Sequence, residues 1–172
     1  IYPVDPAADL AGKGADLLIN ISASVYHHGK NEFRTSMFAR LAHKHRLPIV
    51  FANQVGGNDS VLYDGISAAY DALGNQVARA FDFEEDLIVW DSTSGEGDRH
   101  AISAGTNASI YKALVTGTQD YLAKCGFKKA VVGLSGGIDS ALVACVAADA
   151  LGPENVTTIF MPSPYTSRDN YE

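Results

Sequence analysis

The residues best suited to chemistry form one short stretch, Ser135–Ser140, with the sequence Ser-Gly-Gly-Ile-Asp-Ser. Two adjacent glycines allow the backbone to turn sharply and bring bare N–H groups close to a ligand. The serines add hydroxyl donors, and a helix that begins here would point its positive dipole end at the turn. Asp139 is an acceptor-only carboxylate, and beside a phosphate it is best explained as a ligand of Mg²⁺. The stretch therefore predicts a site for a phosphate group and a divalent cation.

The elements around this stretch are those that such a site needs. Ala130–Leu134 is an apolar run of strand length, and helix-compatible residues extend from Ile138 to Leu151 before Gly152-Pro153 ends them. Val156–Met161 reads as a second strand, which the crossover rule makes parallel to the first. The sequence predicts a strand, a glycine turn, a helix and a parallel strand.

The spacing of the turn differs from two common nucleotide motifs. No Gly-Lys-Ser/Thr follows, as a Walker A loop would require, and the dinucleotide fingerprint G-x-G-x-x-G is absent. The turn instead resembles the pyrophosphate loop of the ATP pyrophosphatases, which adenylate a substrate and release pyrophosphate. In that resemblance Ser135, Gly136, Gly137 and Ser140 match phosphate-holding positions, and Gly133 matches a backbone position near the nucleoside.

Composition limits the function classes. The chain has 172 residues, 47% of them hydrophobic, and a net charge of -7. This acidic balance argues against a nucleic-acid partner, and no apolar run reaches transmembrane length. The two cysteines do not suggest a disulfide framework and favour the cytosol. We expect Cys145 to be a small core residue within its apolar helix.

The upstream part alternates helices and strands. We expect a capped helix at Pro6–Ala11 and an apolar strand at Asp16–Ser22, buried on both faces. An amphipathic helix is predicted for Asn31–Arg46, with Phe33 and Phe38 on its apolar side and Arg34, Arg40, Lys44 and Arg46 on its other faces. A strand at Leu47–Val55, a turn at Gly56–Asp59 and four short β candidates follow: Val61–Tyr63, Ser67–Tyr70, Asn75–Phe81 and Asp86–Trp90.

A polar, glycine-bearing segment then separates two predicted domains. It begins at Thr93 and has no periodicity, so we assign residues 93–106 to a linker between domains 1–92 and 107–172. Helical spacing returns between Asn107 and Lys124 and leads to the strand before the glycine turn. The fold class is α/β.

The upstream half also resembles a known family. The segments Gly14–Ser24 and Asn53–Asp59, with Tyr63–Ser67, are similar to the later half of a nitrilase-type glutaminase domain, an α/β sandwich. Joined to the Ser-Gly-Gly-Ile-Asp-Ser turn, they resemble the glutamine-dependent NAD⁺ synthetases. That resemblance implies a second domain that begins a doubly wound parallel sheet with a pyrophosphate loop.

The resemblance also implies a reaction and a set of residues. Glutamine is hydrolysed by a Glu-Lys-Cys triad, ATP adenylates nicotinic acid adenine dinucleotide, and ammonia displaces AMP to form NAD⁺. The residues assigned to ATP are Gly133, Ser135, Gly136, Gly137, Asp139, Ser140 and Met161, with Asp139 also holding Mg²⁺. Ser24 and Lys30 match positions that contact glutamine.

The matching segments begin after the position of the family's nucleophile, and neither Cys125 nor Cys145 replaces it. We therefore expect a fragment that lacks both ends and does not turn over by itself. We also expect a cytoplasmic homo-oligomer without a nucleic-acid or membrane partner. Two other hypotheses stay open: a nitrilase-like amidohydrolase with an accessory nucleotide-binding module, and a module that senses nucleotide without chemistry.

Overall fold

The computed structural model describes residues 4–162, which form two compact units. The first unit contains the residues up to Gly56 together with Val61–Ser109, and the second contains Gly57–Ser60 and the residues from Ile110 onward. The domain limits predicted from the sequence, with a linker at 93–106, stay a prediction.

Between residue 4 and the polar segment, the structure has two helices and six strands. The helices are α1 (Pro6–Gly12) and α2 (Lys30–His45). The strands are β1 (Leu18–Ser22), β2 (Ile49–Asn53), β3 (Val55–Asn58), β4 (Val61–Asp64), β5 (Ala68–Tyr70) and β6 (Gln76–Arg79). Four of them make one mixed sheet in the order β1-β2-β5-β6, in which β1 and β2 are parallel and the other pairs antiparallel.

Helix α2 packs on one face of this sheet. Phe38 and Ala42 on the helix join the buried strand residues Leu18, Ile49, Phe51, Ala68 and Tyr70 in the main core. Each large apolar side chain buried in this way stabilises the fold by about 1.5–3 kcal/mol. The predicted helix is confirmed, but its polar side is corrected: Arg34 is buried, whereas Phe33 is 62% exposed.

Strand β1 is not buried on both faces as predicted. Leu18 is buried under α2, while Ile19 and Ile21 are 65% and 84% exposed. The strand lies at the edge of the sheet and a helix covers only one of its faces, so alternate side chains point away from the core.

Two further strand predictions are corrected. Val55–Asn58 is a strand that pairs with β4, so the predicted turn at Gly56–Asp59 is replaced by a turn at Asp59 and Ser60. Asp86–Trp90 is not a strand, and Trp90 makes an isolated bridge with Gly97. The N–H of Val89 instead donates to the Asp98 carboxylate at 2.7 Å, so a side chain replaces a strand partner.

The polar segment after Trp90 belongs to the first unit and is hydrogen-bonded to strand β6 of that unit. The N–H of Arg79 donates to the carbonyl oxygen of Asp98, and the Arg79 side chain donates twice to the carbonyl oxygen of His100. His100 stacks on Phe81 and pairs with Asp86 at 2.7 Å. The N–H of Phe81 and then the His100 ring hold the pKa of Asp86 below its usual range.

The second unit contains the elements predicted around the glycine turn. They are α3 (Thr106–Lys124), which begins just before the unit does, β7 (Ala130–Leu134), α4 (Ile138–Leu151), a short 3-10 turn (Pro153–Asn155) and β8 (Val156–Phe160). Strands β7 and β8 are parallel, with Ala130 opposite Val156 and Leu134 opposite Phe160, which confirms the predicted crossover.

Helix α4 buries only Val146, Ala147 and Ala150. Cys145 is exposed, which corrects its predicted place in the core. On the same helix, Asp149 accepts a 2.6 Å hydrogen bond from the Tyr111 hydroxyl of α3, and this contact raises the pKa of Tyr111 to about 12. Within residues 4–162, no helix has both the length and the apolar character needed to cross a membrane.

Candidate functional site

The glycine turn of the second unit closes through its own side chains. Ser135 follows β7 directly, Gly136 has a φ of +83°, and Gly137 is the N-cap of α4. The N–H of Gly137 donates to Ser135 Oγ at 3.3 Å, and the N–H of Ser135 donates to Ser140 Oγ at 3.2 Å. The structure thus brings four of the predicted phosphate-holding residues together.

The hydroxyl protons of this turn can be assigned from their partners. Ser140 Oγ donates to the carbonyl oxygen of Gly137 at 2.9 Å, so its proton is used. The 3.2 Å contact between the two hydroxyl oxygens then requires Ser135 Oγ to donate to Ser140 Oγ. Both hydroxyls stabilise the turn, and the first backbone N–H groups of α4, which have no intrahelical acceptor, remain for an anion.

Asp139 lies in the first turn of α4 and is exposed. Gly137 is the N-cap residue, and no side-chain cap hydrogen bond is formed there. Within residues 4–162, no hydrogen bond or ion pair engages the Asp139 carboxylate. Its oxygens are therefore available to a cation beside the turn.

The two remaining predicted ATP residues lie close to each other. A Cβ placed on Gly133 would lie 3.4 Å from the terminal methyl of Met161, which itself is 72% exposed. Gly133 pairs with Ile159 in the sheet, and Met161 follows the last residue of β8. Both residues therefore lie near the carboxyl ends of parallel strands, where open α/β sheets bind ligands.

A second candidate site occupies the carboxyl edge of β1 and β2 in the first unit. Ser24 follows β1 and is half-buried, and its N–H donates to the side-chain oxygen of Asn53 at 2.9 Å. Lys30 opens α2, and its ammonium group donates to the carbonyl oxygen of Val25 at 2.6 Å. The two residues assigned to glutamine thus lie at the two ends of one short loop.

This loop rests on strand β4. Val25 bridges Tyr63, and the N–H of Tyr26 donates to the carbonyl oxygen of Leu62 at 2.6 Å. At the end of β4, Asp64 is 1% exposed and accepts two hydrogen bonds from Arg34, at 2.7 and 2.6 Å. Asn53 also donates to Asp64, at 3.2 Å.

Asn53, Asp64 and Arg34 were not predicted as site residues. A signal for Arg34 was present, because Arg34, Phe38 and Ala42 are spaced four residues apart and form one buried stripe of α2. The charge of Arg34, however, predicts a solvent-exposed side chain. Its burial is made possible by the Asp64 carboxylate, which lies thirty residues further along the chain.

Comparisons with known proteins divide the chain in two. Residues 1–96 match the family model described as carbon-nitrogen hydrolase, and residues 110–172 match the one described as NAD synthase. The chain belongs to the carbon–nitrogen hydrolase family. In this carbon–nitrogen hydrolase chain, the segment that matches NAD synthase comes after the hydrolase segment. The α/β class predicted from the sequence is confirmed.

Some relatives match both the hydrolase segment and the NAD synthase segment within a single protein. The glutamine-dependent NAD⁺ synthetase of Synechocystis sp. is 46% identical over 171 residues, which are 96% of this chain and 31% of that protein. The enzyme of the same name from Thermotoga maritima is 35% identical over 99% of this chain and 36% of its own length. These matches confirm the family resemblance read from the sequence.

A solved structure agrees with this fold. The glutamine-dependent NAD⁺ synthetase of Acinetobacter baumannii, in complex with ADP, superposes with a TM-score of 0.88 at 36% identity. The match covers 95% of this chain and 32% of that one. The chain spans about a third of the length of the curated relatives it matches.

Proposed function

We propose that this chain is part of a glutamine-dependent NAD⁺ synthetase. The reaction is the ATP-dependent amidation of nicotinic acid adenine dinucleotide to NAD⁺, with ammonia from glutamine and through an adenylated intermediate. One observation carries the proposal: a carbon–nitrogen hydrolase segment and an NAD synthase segment lie in one chain, and the second contains the Ser-Gly-Gly-Ile-Asp-Ser turn between a parallel strand and a helix.

In this proposal the turn binds the phosphates of ATP. The backbone N–H groups at the start of α4 and the hydroxyls of Ser135 and Ser140 donate to phosphate oxygens. Because both hydroxyl protons are held inside the turn, ATP binding exchanges at least one of these internal bonds for a phosphate contact. Gly133 and Met161 border the nucleoside.

Asp139 fits the role of a Mg²⁺ ligand. A carboxylate beside the phosphates of ATP would repel them unless a cation intervened, and the Asp139 oxygens are free for one. Within residues 4–162 there is no group of three or more His, Cys, Asp or Glu residues that could hold a metal, which suits Mg²⁺ bound by one carboxylate together with phosphate oxygens and waters. Mg²⁺ supplies charge neutralisation of the phosphates during adenylation.

For the glutaminase reaction we assign substrate contacts and no nucleophile. Ser24 and Lys30 contact the bound glutamine, and the loop between them is fixed on β4. Both cysteines are exposed, and in residues 4–162 no hydrogen bond links either thiol to a base. We infer that this chain by itself does not turn over. Two free, exposed cysteines favour a reducing cytoplasm, and a homo-oligomer stays part of the proposal.

The experiment that tests the synthetase role changes Asp139 to Asn in the complete protein that contains this chain. NAD⁺ synthesis is measured with saturating ammonium, which bypasses glutamine hydrolysis, while Mg²⁺ is titrated. We expect the Mg²⁺ requirement to rise at least about tenfold, because the amide keeps the shape but removes the charge that holds the cation. Glutamine hydrolysis should stay within about twofold, since it occurs at another site.

Asp149→Asn is the matched control, since it removes the same charge from the other end of the same helix. It should leave the Mg²⁺ dependence unchanged. If Asp139→Asn also matches the wild type at low Mg²⁺, Asp139 is not a metal ligand. A wild-type protein that hydrolyses an amide but makes no NAD⁺ from ammonia would support the amidohydrolase with an accessory nucleotide-binding module.

A further inference from the structure

We propose that Asn53 is a positioning residue that holds Ser24 in the glutamine site, and that the buried Arg34–Asp64 pair orients Asn53 in turn. This inference rests on the proposed function, because it deepens the role given there to Ser24. It concerns four residues that lie at the carboxyl edge of the β1–β2 pair or just behind it.

The hydrogen bonds of Asn53 allow only one orientation of its amide. The side-chain oxygen accepts from the N–H of Ser24 at 2.9 Å. The side-chain nitrogen donates to Asp64 Oδ1 at 3.2 Å and to the carbonyl oxygen of Gly65 at 2.9 Å. Rotating the amide by half a turn would set a donor against the Ser24 N–H and an oxygen against two acceptors.

Asp64 is itself held rigidly. Arg34 donates to both of its oxygens, at 2.7 and 2.6 Å, and the two side chains are 5% and 1% exposed. The Arg34 guanidinium also lies 5.5 Å from the centre of the Phe51 ring. A planar, two-bond pair with little contact with water fixes the direction of the carboxylate, and therefore of the Asn53 amide that bonds to it.

The outer end of this chain of contacts is Ser24. Its N–H is used by Asn53, while in the described part of the chain its hydroxyl has no hydrogen-bond partner and is free for a ligand. Holding the N–H fixes the peptide plane before Ser24 and so limits where the hydroxyl can reach. The network therefore orders the Ser24 hydroxyl before glutamine binds, so that less conformational entropy is lost on binding.

The test uses the complete protein with Asn53→Asp, which keeps the shape but replaces the donor nitrogen by an oxygen facing Asp64 and Gly65. We expect the KM for glutamine to rise about tenfold or more, since a positioned contact is lost. Ammonia-dependent NAD⁺ synthesis should stay within about twofold, because that reaction does not use Ser24. Melting temperature is recorded for each variant.

Asp71→Ala is the matched control. It removes three side-chain hydrogen bonds from the turn between β5 and β6, at 2.9, 2.8 and 2.8 Å, in the same unit. It should lower the melting temperature while leaving the glutamine KM unchanged. If both variants lose stability but only Asn53→Asp raises the glutamine KM, the KM effect comes from positioning and not from a general loss of folding.

A double-mutant cycle identifies the route. In a Ser24→Ala background, Asn53→Asp should raise the glutamine KM far less than in the wild type, since the group that it positions is gone. Arg34→Lys keeps the charge but cannot make the two-bond contact, so it should raise the same KM several-fold and serves if Asn53→Asp fails to fold.

The outcomes separate the two proposals. A wild-type protein that does not hydrolyse glutamine refutes the proposed function. A wild-type protein that does, with an unchanged glutamine KM in whichever of these variants keeps its fold, overturns the positioning role. Effects of Asn53→Asp and Ser24→Ala that simply multiply would also overturn it.

Discussion

Arg34 and Asp64 are buried charged side chains that pair with each other, so removing either one should affect the fold strongly. A buried pair of this kind contributes little over an apolar pair, but a single buried charge left without its partner is strongly unfavourable. The exposed fractions of 5% and 1% leave neither group an alternative in water. Each of the two charged groups is therefore compatible with a stable fold only while the other is present.

We predict that Asp64→Ala lowers the free energy of unfolding by about 3–5 kcal/mol, because it leaves the Arg34 guanidinium buried and unpaired. Urea unfolding followed by circular dichroism measures this loss. As a control, Lys13→Ala breaks the exposed pair with Asp9, whose side chains are 70% and 53% exposed, and should change stability by less than about 1 kcal/mol. Equal losses in the two variants would contradict the buried-pair argument.

At the same scale, local chemistry decided which site residues could be predicted. Ser135–Ser140 are neighbours in the chain, so a joint phosphate-binding role can be predicted for them from residue types and spacing alone. Asn53 acts on Ser24 from twenty-nine residues away, and Arg34 reaches Asp64 over thirty. Such pairings depend on strand register, which the types of the residues do not specify.

Among the elements, the β5–β6 turn comes so close to helix α2 that its glycine has no room for a side chain. Gly74 has a φ of +85°, and a Cβ placed there would lie 2.5 Å from the carbonyl oxygen of Ala39. Gly14 has nearly the same φ, +86°, but a Cβ there would meet nothing within 4 Å. The two positions share a backbone conformation and differ in the available space.

We therefore predict that Gly14→Ala lowers the free energy of unfolding by about 1–2 kcal/mol through backbone strain alone. Gly74→Ala should lose about 1–3 kcal/mol more, because the methyl group must push helix backbone aside. Thermal unfolding of the two variants measures the difference. Similar losses would mean that the turn can move away from α2 without cost.

The elements that were predicted correctly are those with an unambiguous pattern. Ala130–Leu134 and Ile138–Leu151 were bounded by glycines and a proline, and the structure has the same bounds. Asp86–Trp90 is a largely apolar run of strand length, yet it forms no strand, and the N–H of Val89 donates to the Asp98 carboxylate instead. Ile19 and Ile21 read as buried because they are apolar, but an edge strand covered on one face exposes them.

For the whole molecule, the presence of two family segments in one chain reduces the number of compatible functions more than either segment does alone. A nitrilase-like half alone would indicate many amide hydrolyses, and a pyrophosphate turn alone would indicate many adenylations. Their combination was visible in the sequence because each half carries short local motifs. The division into compact units was not, since Gly57–Ser60 belongs with the residues after Ile110 although it lies far upstream of them.

The separation of Arg34 from Asp64 also has a consequence during synthesis. A ribosome releases the chain from its N-terminus, so α2 and two of the strands it packs on, β1 and β2, emerge before Asp64 does. Packing α2 at that stage would bury a cation that has no anion, and we expect the first unit to stay open until β4 is free. Stalled chains whose last emerged residue is Tyr70 should resist protease, whereas chains that end at Ser60, or the longer chains with Asp64→Ala, should be digested. Resistance in the shorter chains would mean that the helix can dock before its counter-ion has been made.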